Sequence, residues 1–247
     1  GEKYIGHGWR MLVECLSVGR AISLPSNATG GVKMAAATTG AYARIRKQFQ
    51  MPIGRFEGIE EALARVGGYT YAIGALSQMT AHAVDQGEKP AVPSAIAKYH
   101  ATELGREVIK DAMDIHAGKG VILGPRNYLG RAWEGAPISI TVEGANILTR
   151  SMIVFGQGAV RCHPYVLKEM QAAALPDARE RLRTFDTLIW SHVGFALSNA
   201  ARAFLLGLVH ARFGAAPAGA YTAKFYRKLT RYSATLALVA DTAMLTL

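Results

Sequence analysis

The stretch "ATGGVKMAAATTGAYARIRKQF" (residues 28–49) sets the reading of this chain. Val32, Ala35, Ala36, Thr39 and Ala43 recur at steps of three and four, which places them on one face of a small-residue α-helix. Arg44, Arg46 and Lys47 come at its end, where cations complement the helix dipole. Pro52 and Gly54 then break the pattern, so "QMPIGRFEG" (50–58) reads as a loop.

The same period extends outward in both directions. Upstream, Met11, Leu12, Cys15 and Leu16 keep a helical pattern that Pro25, Ser26 and Asn27 punctuate. Downstream, Ile59, Ala62, Leu63, Val66, Ile73, Leu76 and Met79 predict a long helix over about 59–83. After the turn "DQGEKPAVP" (85–93), Ser94 reads as the N-cap of a helix that ends near His116 and carries Ile96, Leu104, Val108 and Met113. "AGKGVILGPRNYLGRAWEGAP" (117–137) is a glycine-rich connection, longer than a helix hairpin needs. A fourth helix starts near Glu143 and carries Ile147, Leu148, Ile153 and Val154. Beyond "AAALPDARERLRTFD" (172–186), two more apolar helices over about 178–213 and 218–247 flank "FGAAPAG". The expected class is all-α: an antiparallel four-helix bundle over 1–170 and an appended, incomplete helical hairpin over 171–247.

Composition narrows the function. Half of the 247 residues are hydrophobic, so a sizeable core is within reach. The net charge is +10, with 19 of 28 Lys/Arg and 14 of 18 Asp/Glu before residue 170, so the basic excess is diffuse. Nucleic-acid binding asks for a concentrated basic stripe with stacking aromatics, and neither is seen. An anionic small molecule or an acidic membrane surface suits a diffuse excess better. Cys15 and Cys162 read as thiols in a reducing, cytoplasmic setting, and no cysteine or histidine spacing indicates a metal. No run of about 18 uncharged apolar residues predicts a spanning helix. The glycine start and the ending inside "DTAMLTL" read as those of a fragment or processed chain.

The carboxylate of "TVEGANILTR" (141–150) has two readings. Glu143 in a helix's first turn is favoured by the dipole alone, and on the residues taken singly that is the plainer account. Its neighbours Ile140 and Val142 are apolar, and the second reading, left open by the residues alone, is a group that does chemistry.

"AYARIRKQF" (41–49), "DAMDIHAGKG" (111–120), the glycine-rich loop and "TVEGAN" (141–146) occur in one order over residues 1 to about 168. Together they resemble the C-terminal helical domain of the acyl-CoA dehydrogenase family. The "LSVGR" lead-in and the basic extension are most like the large bacterial fatty-acyl-CoA dehydrogenases of β-oxidation. The resemblance implies FAD as cofactor, a fatty acyl-CoA thioester as substrate, an electron-transfer flavoprotein as acceptor and a homo-oligomer. It assigns Glu143 as the base for the α-proton, with Gly144 giving the thioester room and Arg20 helping to hold the CoA end. Arg46, Gln48 and Phe49 would touch FAD, Arg46 by gripping its pyrophosphate with two planar hydrogen bonds. The turn after the third helix, with Asp114 and Gly118, would run along the diphosphate, and Lys119 would add charge.

Several positions depart from the family pattern. Phe56-Glu57 stands where a second cofactor contact is usual, so Glu57 is not carried over. Asp114 replaces a glutamine, Ala117 a glycine, and Ala145-Asn146 a threonine-containing pair. The resemblance also implies that an N-terminal helical domain and a β-domain lie outside this chain, which alone would be inactive. Two rival readings are an interaction or peripheral membrane module built on Arg179, Arg181, Arg183, Lys224, Arg227, Lys228 and Arg231, and an acyl-CoA oxidase that uses oxygen.

Overall fold

Helix α1 (Gly8–Ile45) passes through Pro25 without a break, so the expected stop there is corrected. A proline inside a helix leaves the carbonyl four residues earlier without its N–H partner. That carbonyl belongs to Ala21, and the buried Thr80 hydroxyl on the next long helix donates to it at 2.8 Å. A tertiary hydrogen bond thus replaces the missing helical one, and one helix stands where two segments were expected.

The computed structural model describes residues 2–217 and 219–246, in two units, 1–157 and 158–247, a division that falls ahead of the expected one at 170. In the first unit α1 is followed by a two-residue hairpin, β1 (Lys47–Gln48) and β2 (Met51–Pro52), where a plain loop was expected. Then come α2 (Glu57–Asp85), α3 (Ala91–His116), α4 (Gly118–Val121), α5 (Gly130–Thr141) and α6 (Asn146–Leu148), which runs into a π-helical segment, Thr149–Gln157. The three long helices pack on one another around Val32, Ala35, Val66, Ile73, Ala101, Val108, Ala112 and Leu129. A smaller cluster of Ala43, Ile53, Ala62 and Ile115 closes one end. The place of a fourth long helix is shared by α5 and the π-helical segment, both of which pack on α3.

Two details differ from the expected pattern. Ser94 lies a turn inside α3, which starts at Ala91, because Pro90 and Pro93 need no N–H partner at a helix start. Met79, placed on the buried face of α2, is 60 % exposed.

The second unit holds α7 (Gly158–Cys162), α8 (Val166–Ala173), α9 (Ala178–Leu208) and α10 (Ala220–Thr246). Asp177 caps α9 by accepting from the Glu180 N–H at 2.8 Å, and α9 packs against both α8 and α10. The expected hairpin is present. Helix α9 stops at Leu208 rather than 213, because His210 and Ala211 adopt positive φ. The expected termini of the last helix, at 218 and 247, lie outside the described residues.

Candidate functional site

Glu143 does not sit in a helix's first turn, which corrects that reading of the position. Helix α5 ends at Thr141, Glu143 and Gly144 take φ values of +53° and +92°, and the next helix has Ala145 as its N-cap. Positive φ is costly for a residue with a side chain, so this turn needs support from elsewhere. Glycine meets the need at position 144. A Cβ there would also lie 3.1 Å from Thr149 Oγ1 and 3.7 Å from an Arg20 guanidinium nitrogen.

Three buried polar side chains supply the support. Lys98 on α3 has no exposed surface, and its ammonium donates to the Gly144 carbonyl at 2.8 Å, to Asn146 Oδ1 at 2.6 Å and to the Ile140 carbonyl at 3.4 Å. The Asn146 amide donates in turn to Thr102 Oγ1 at 2.9 Å and Glu103 Oε1 at 2.8 Å, both also on α3. The Thr149 hydroxyl adds a second bond to the Gly144 carbonyl at 3.1 Å. On the far side, the buried Arg20 of α1 donates to Ser94 Oγ and the Ala91 carbonyl at 3.4 and 3.3 Å.

The carboxylate itself is exposed, with Ser23 Oγ of α1 3.0 Å and 3.3 Å from its two oxygens, where it competes for the hydroxyl proton with the Gly19 carbonyl at 2.7 Å. Ile140 beside it is half-buried and Val142 is 42 % exposed, so the apolar wall they form is partial within this chain. Burial lowers the pKa of both cations beneath it, Arg20 and Lys98. Glu143 acts in the opposite direction on each, by favouring the charged form. Next to the turn, a groove of about 380 Å³ lies between α1, α3 and α5, walled by Leu24, Val32, Ala101, Ile109, Ala136 and Val142.

The structure thus brings Glu143, Gly144 and Arg20 together. It holds the expected cofactor residues at a different place. Arg46 is the exposed residue after α1, Gln48 lies on β1, and Phe49 is 89 % exposed at the hairpin tip. Phe49 and Gln50 have φ of +49° and +67°, the paired left-handed turn that a two-residue hairpin favours. Arg46 has no acidic partner among the described residues, and the Phe49 ring meets Phe56 edge-on while most of its surface stays exposed. Asp114 is exposed and engaged by Lys110 at 3.4 Å, an arrangement that does not suit a phosphate. Gly118 has open space around it. The tight contact is at Gly120, where a Cβ would lie 2.9 Å from the Met113 carbonyl oxygen.

Sequence reading missed Lys98, Thr102 and Ser23. One signal was present: Ser94, Lys98, Ala101, Gly105, Val108 and Ala112 follow the four-three rhythm of a buried stripe, and all six are buried. A lysine on such a stripe marks a polar group that needs partners.

Histidines also meet where spacing gave no hint. In the second unit, His163, His192 and Asp241 bring ligand-type atoms within 4.8 Å of one another. Here His163 Nδ1 accepts from the N–H groups of Tyr165 and Val166, both at 3.2 Å, so the neutral ring carries its proton on Nε2, 2.8 Å from Asp241 Oδ1. His192 lies between Glu169 at 2.8 Å and Asp241 at 3.4 Å. His192 ties Glu169 of α8 and Asp241 of α10 to α9, while His163 Nε2, despite that closeness, and Asp241 Oδ2 are buried without a hydrogen-bond partner among the described residues.

Comparison with known proteins agrees with this layout. Residues 6–156 match the family described as "Acyl-CoA dehydrogenase, C-terminal domain", and residues 160–247 match "Acyl-CoA dehydrogenase, C-terminal, bacterial type". The chain is similar to 3-(aryl)acrylate reductase of Clostridium sporogenes, 35 % identical over 60 % of this chain and 39 % of the relative. Among solved structures it is similar to butyryl-CoA dehydrogenase from Megasphaera elsdenii, with a TM-score of 0.56 and 27 % identity over 62 % of this chain and 39 % of that one. A structure described as the electron transferring flavoprotein of Acidaminococcus fermentans matches with a TM-score of 0.57 and 27 % identity, covering 63 % of this chain and 40 % of its own. The chain therefore spans about two-fifths of the length of these proteins. With the first family pattern covering more than half of its residues, it belongs to the acyl-CoA dehydrogenase family, as that family's C-terminal helical domain.

Proposed function

We propose that the protein to which this chain belongs is an FAD-dependent acyl-CoA dehydrogenase that converts fatty acyl-CoA to trans-2-enoyl-CoA in β-oxidation, with Glu143 as its base. The observation that carries this reading is the placement of Glu143: a solvent-facing carboxylate on a positive-φ turn, held by buried donors beside an apolar groove. A carboxylate pre-positioned in this way can take the α-proton of a thioester, while the β-hydrogen leaves with its electron pair and the α–β double bond forms. FAD, when bound, supplies the hydride acceptor. Glu143 then carries the proton as a neutral carboxyl group, and Gly144 leaves space for the thioester beside it. Ser23 orients the carboxylate, and Arg20 adds positive charge towards the CoA end.

Arg46, Gln48 and Phe49 fit a cofactor presented from outside this chain, since an exposed guanidinium and an exposed ring at one short hairpin suit a planar, phosphate-bearing molecule. Asp114, paired with Lys110, does not suit a phosphate, while Gly118 offers open space for a close backbone approach. A partner that presents FAD across a subunit contact makes the protein a homo-oligomer. The likeness to the Acidaminococcus flavoprotein structure supports an electron-transfer flavoprotein as acceptor. The test is Glu143→Gln in the full-length protein, followed by flavin bleaching on addition of acyl-CoA. Loss of bleaching is expected, and normal bleaching removes Glu143 from the reaction. An oxidase would instead show rapid reoxidation of the reduced enzyme by oxygen.

A second reading concerns location. We place the protein in the cytoplasm, with its last two helices against an acidic bilayer surface. At the end of the α9–α10 hairpin, Arg212, Lys224, Arg227 and Lys228 surround a shallow pocket. Phe213 and Tyr221 are 83 % and 78 % exposed at this end. Basic heads with aromatic neighbours suit a headgroup layer. Among the described residues no single helix is long and apolar enough to cross a membrane. Co-sedimentation with anionic but not zwitterionic vesicles is expected, and absence of pelleting removes the membrane contact.

A further inference from the structure

We infer that Lys98 is a positioning residue for the Glu143 turn, clamping it from beneath. The inference rests on Glu143 being the base and adds a residue that neither the sequence pattern nor the comparisons assign. An ammonium has three donors, and here three acceptors take them: the Gly144 carbonyl, Asn146 Oδ1 and the Ile140 carbonyl. All three acceptors lie in residues 140–146, the segment that leaves α5 and carries Glu143. A lysine that served only to end α5 would need the Ile140 carbonyl alone. Its two shorter bonds instead go past the helix end, to either side of Ala145. Helix α3 extends the grip through Thr102 and Glu103, which hold the Asn146 amide.

Such a clamp answers the backbone problem of this segment. Glu143 and Gly144 both hold positive φ, a conformation that persists only where surrounding bonds over-determine it. Lys98 fixes the carbonyl of the second of these residues, which fixes the plane of the peptide that follows Glu143's own residue pair. Charge follows from the same placement. The groups facing Lys98 are Arg20 from α1, Glu103 on α3 and Glu143 on the turn, while Arg106 pairs with Glu103 at 3.2 Å. With Lys98 removed, Glu143 keeps Arg20 as its one buried cation nearby.

The test uses the full-length, FAD-loaded protein carrying Lys98→Met, which keeps the stem and removes charge and donors. Expected are a fall of about 10- to 100-fold in kcat with KM for acyl-CoA little changed, since a misplaced reacting group costs rate rather than binding. Peptides spanning 141–149 should exchange their amide hydrogens faster. A folded variant with unchanged kcat and exchange overturns the inference. Should Lys98→Met not fold, Asn146→Ala removes one arm and keeps the charge. Faster exchange in 141–149 supports the clamp, and unchanged exchange overturns it. Normal bleaching by Glu143→Gln instead defeats the base assignment, and the hydrogen-exchange arm still reports on the clamp.

Discussion

Of the three places where described residues hold consecutive positive φ, the two that carry candidate site residues are held in different ways. At the hairpin tip, Phe49 and Gln50 are kept in place by a two-residue ladder, Lys47 with Pro52 and Gln48 with Met51, and their side chains stand in solvent. At the other turn, Glu143 and Gly144 rest on Lys98, Asn146 and Thr149, all of them buried. The first turn is a local device of backbone geometry, which offers side chains to whatever docks on it. The second borrows its shape from a helix residue 46 positions away in sequence. A group that must meet a reacting atom needs the second kind of support, because small displacements there cost rate.

The contrast can be broken at several levels, beginning with chemistry. Glu143→Gln in the full-length protein should lower the rate of flavin reduction by about 10²- to 10⁴-fold, the usual worth of a general base. Arg46→Ala should leave that rate within about tenfold and weaken retention of FAD, as measured by gel filtration and absorbance. Equal rate losses in both variants would mean the two turns do not divide the work in this way.

Backbone substitutions should move in opposite directions at the two sites. Gly144→Ala meets positive φ and the Thr149 hydroxyl, so a loss of about 1–3 kcal/mol is expected, read as a lower melting temperature. Gln50→Gly relieves a left-handed residue in a turn that glycine favours, so a gain of about 1 kcal/mol is expected. Phe49→Ser at the tip should change stability by no more than about 0.5 kcal/mol, since the ring contributes little to any core.

The smallest effect concerns pH. His116 is buried, its Nδ1–H donates to the Ala112 carbonyl at 2.8 Å, and Nε2 accepts from the Tyr128 hydroxyl at 2.6 Å. Burial holds its pKa below the ordinary value of 6.5, with Lys119 adding to the effect. The unfolded chain therefore takes up this proton at a higher pH than the folded one. The stability it contributes is present above about pH 6.5 and lost as pH falls through the folded value. Melting curves between pH 5 and 8 should show that slope, and His116→Gln should flatten it.

Much of the fold was legible in the sequence, for reasons particular residues make plain. The three-and-four rhythm of Val32, Ala35, Thr39 and Ala43 reports burial on one helix face, and these four are buried. The glycines of "AGKGVIL" marked a backbone constraint, although the residue that needs it is Gly120 rather than Gly118. Pro25 misled because a proline's effect depends on what meets the carbonyl it orphans, and Thr80 lies 55 positions away. The Glu143-Gly144 pair stood out only through its order after "AYARIRKQF", and its chemical role still awaits the substitution above.

What the sequence determined by itself was local: helical period, the glycine at position 144, and the residue types able to act as base or phosphate partner. These depend on neighbours within one or two turns, which the sequence places directly. What the tertiary structure decided was partnership. It set Thr80 on the Ala21 carbonyl, Lys98 under the Gly144 turn, and His192 between Glu169 and Asp241. A side chain's identity says which bonds it can make. Once it is buried away from water, only the fold says which group completes them.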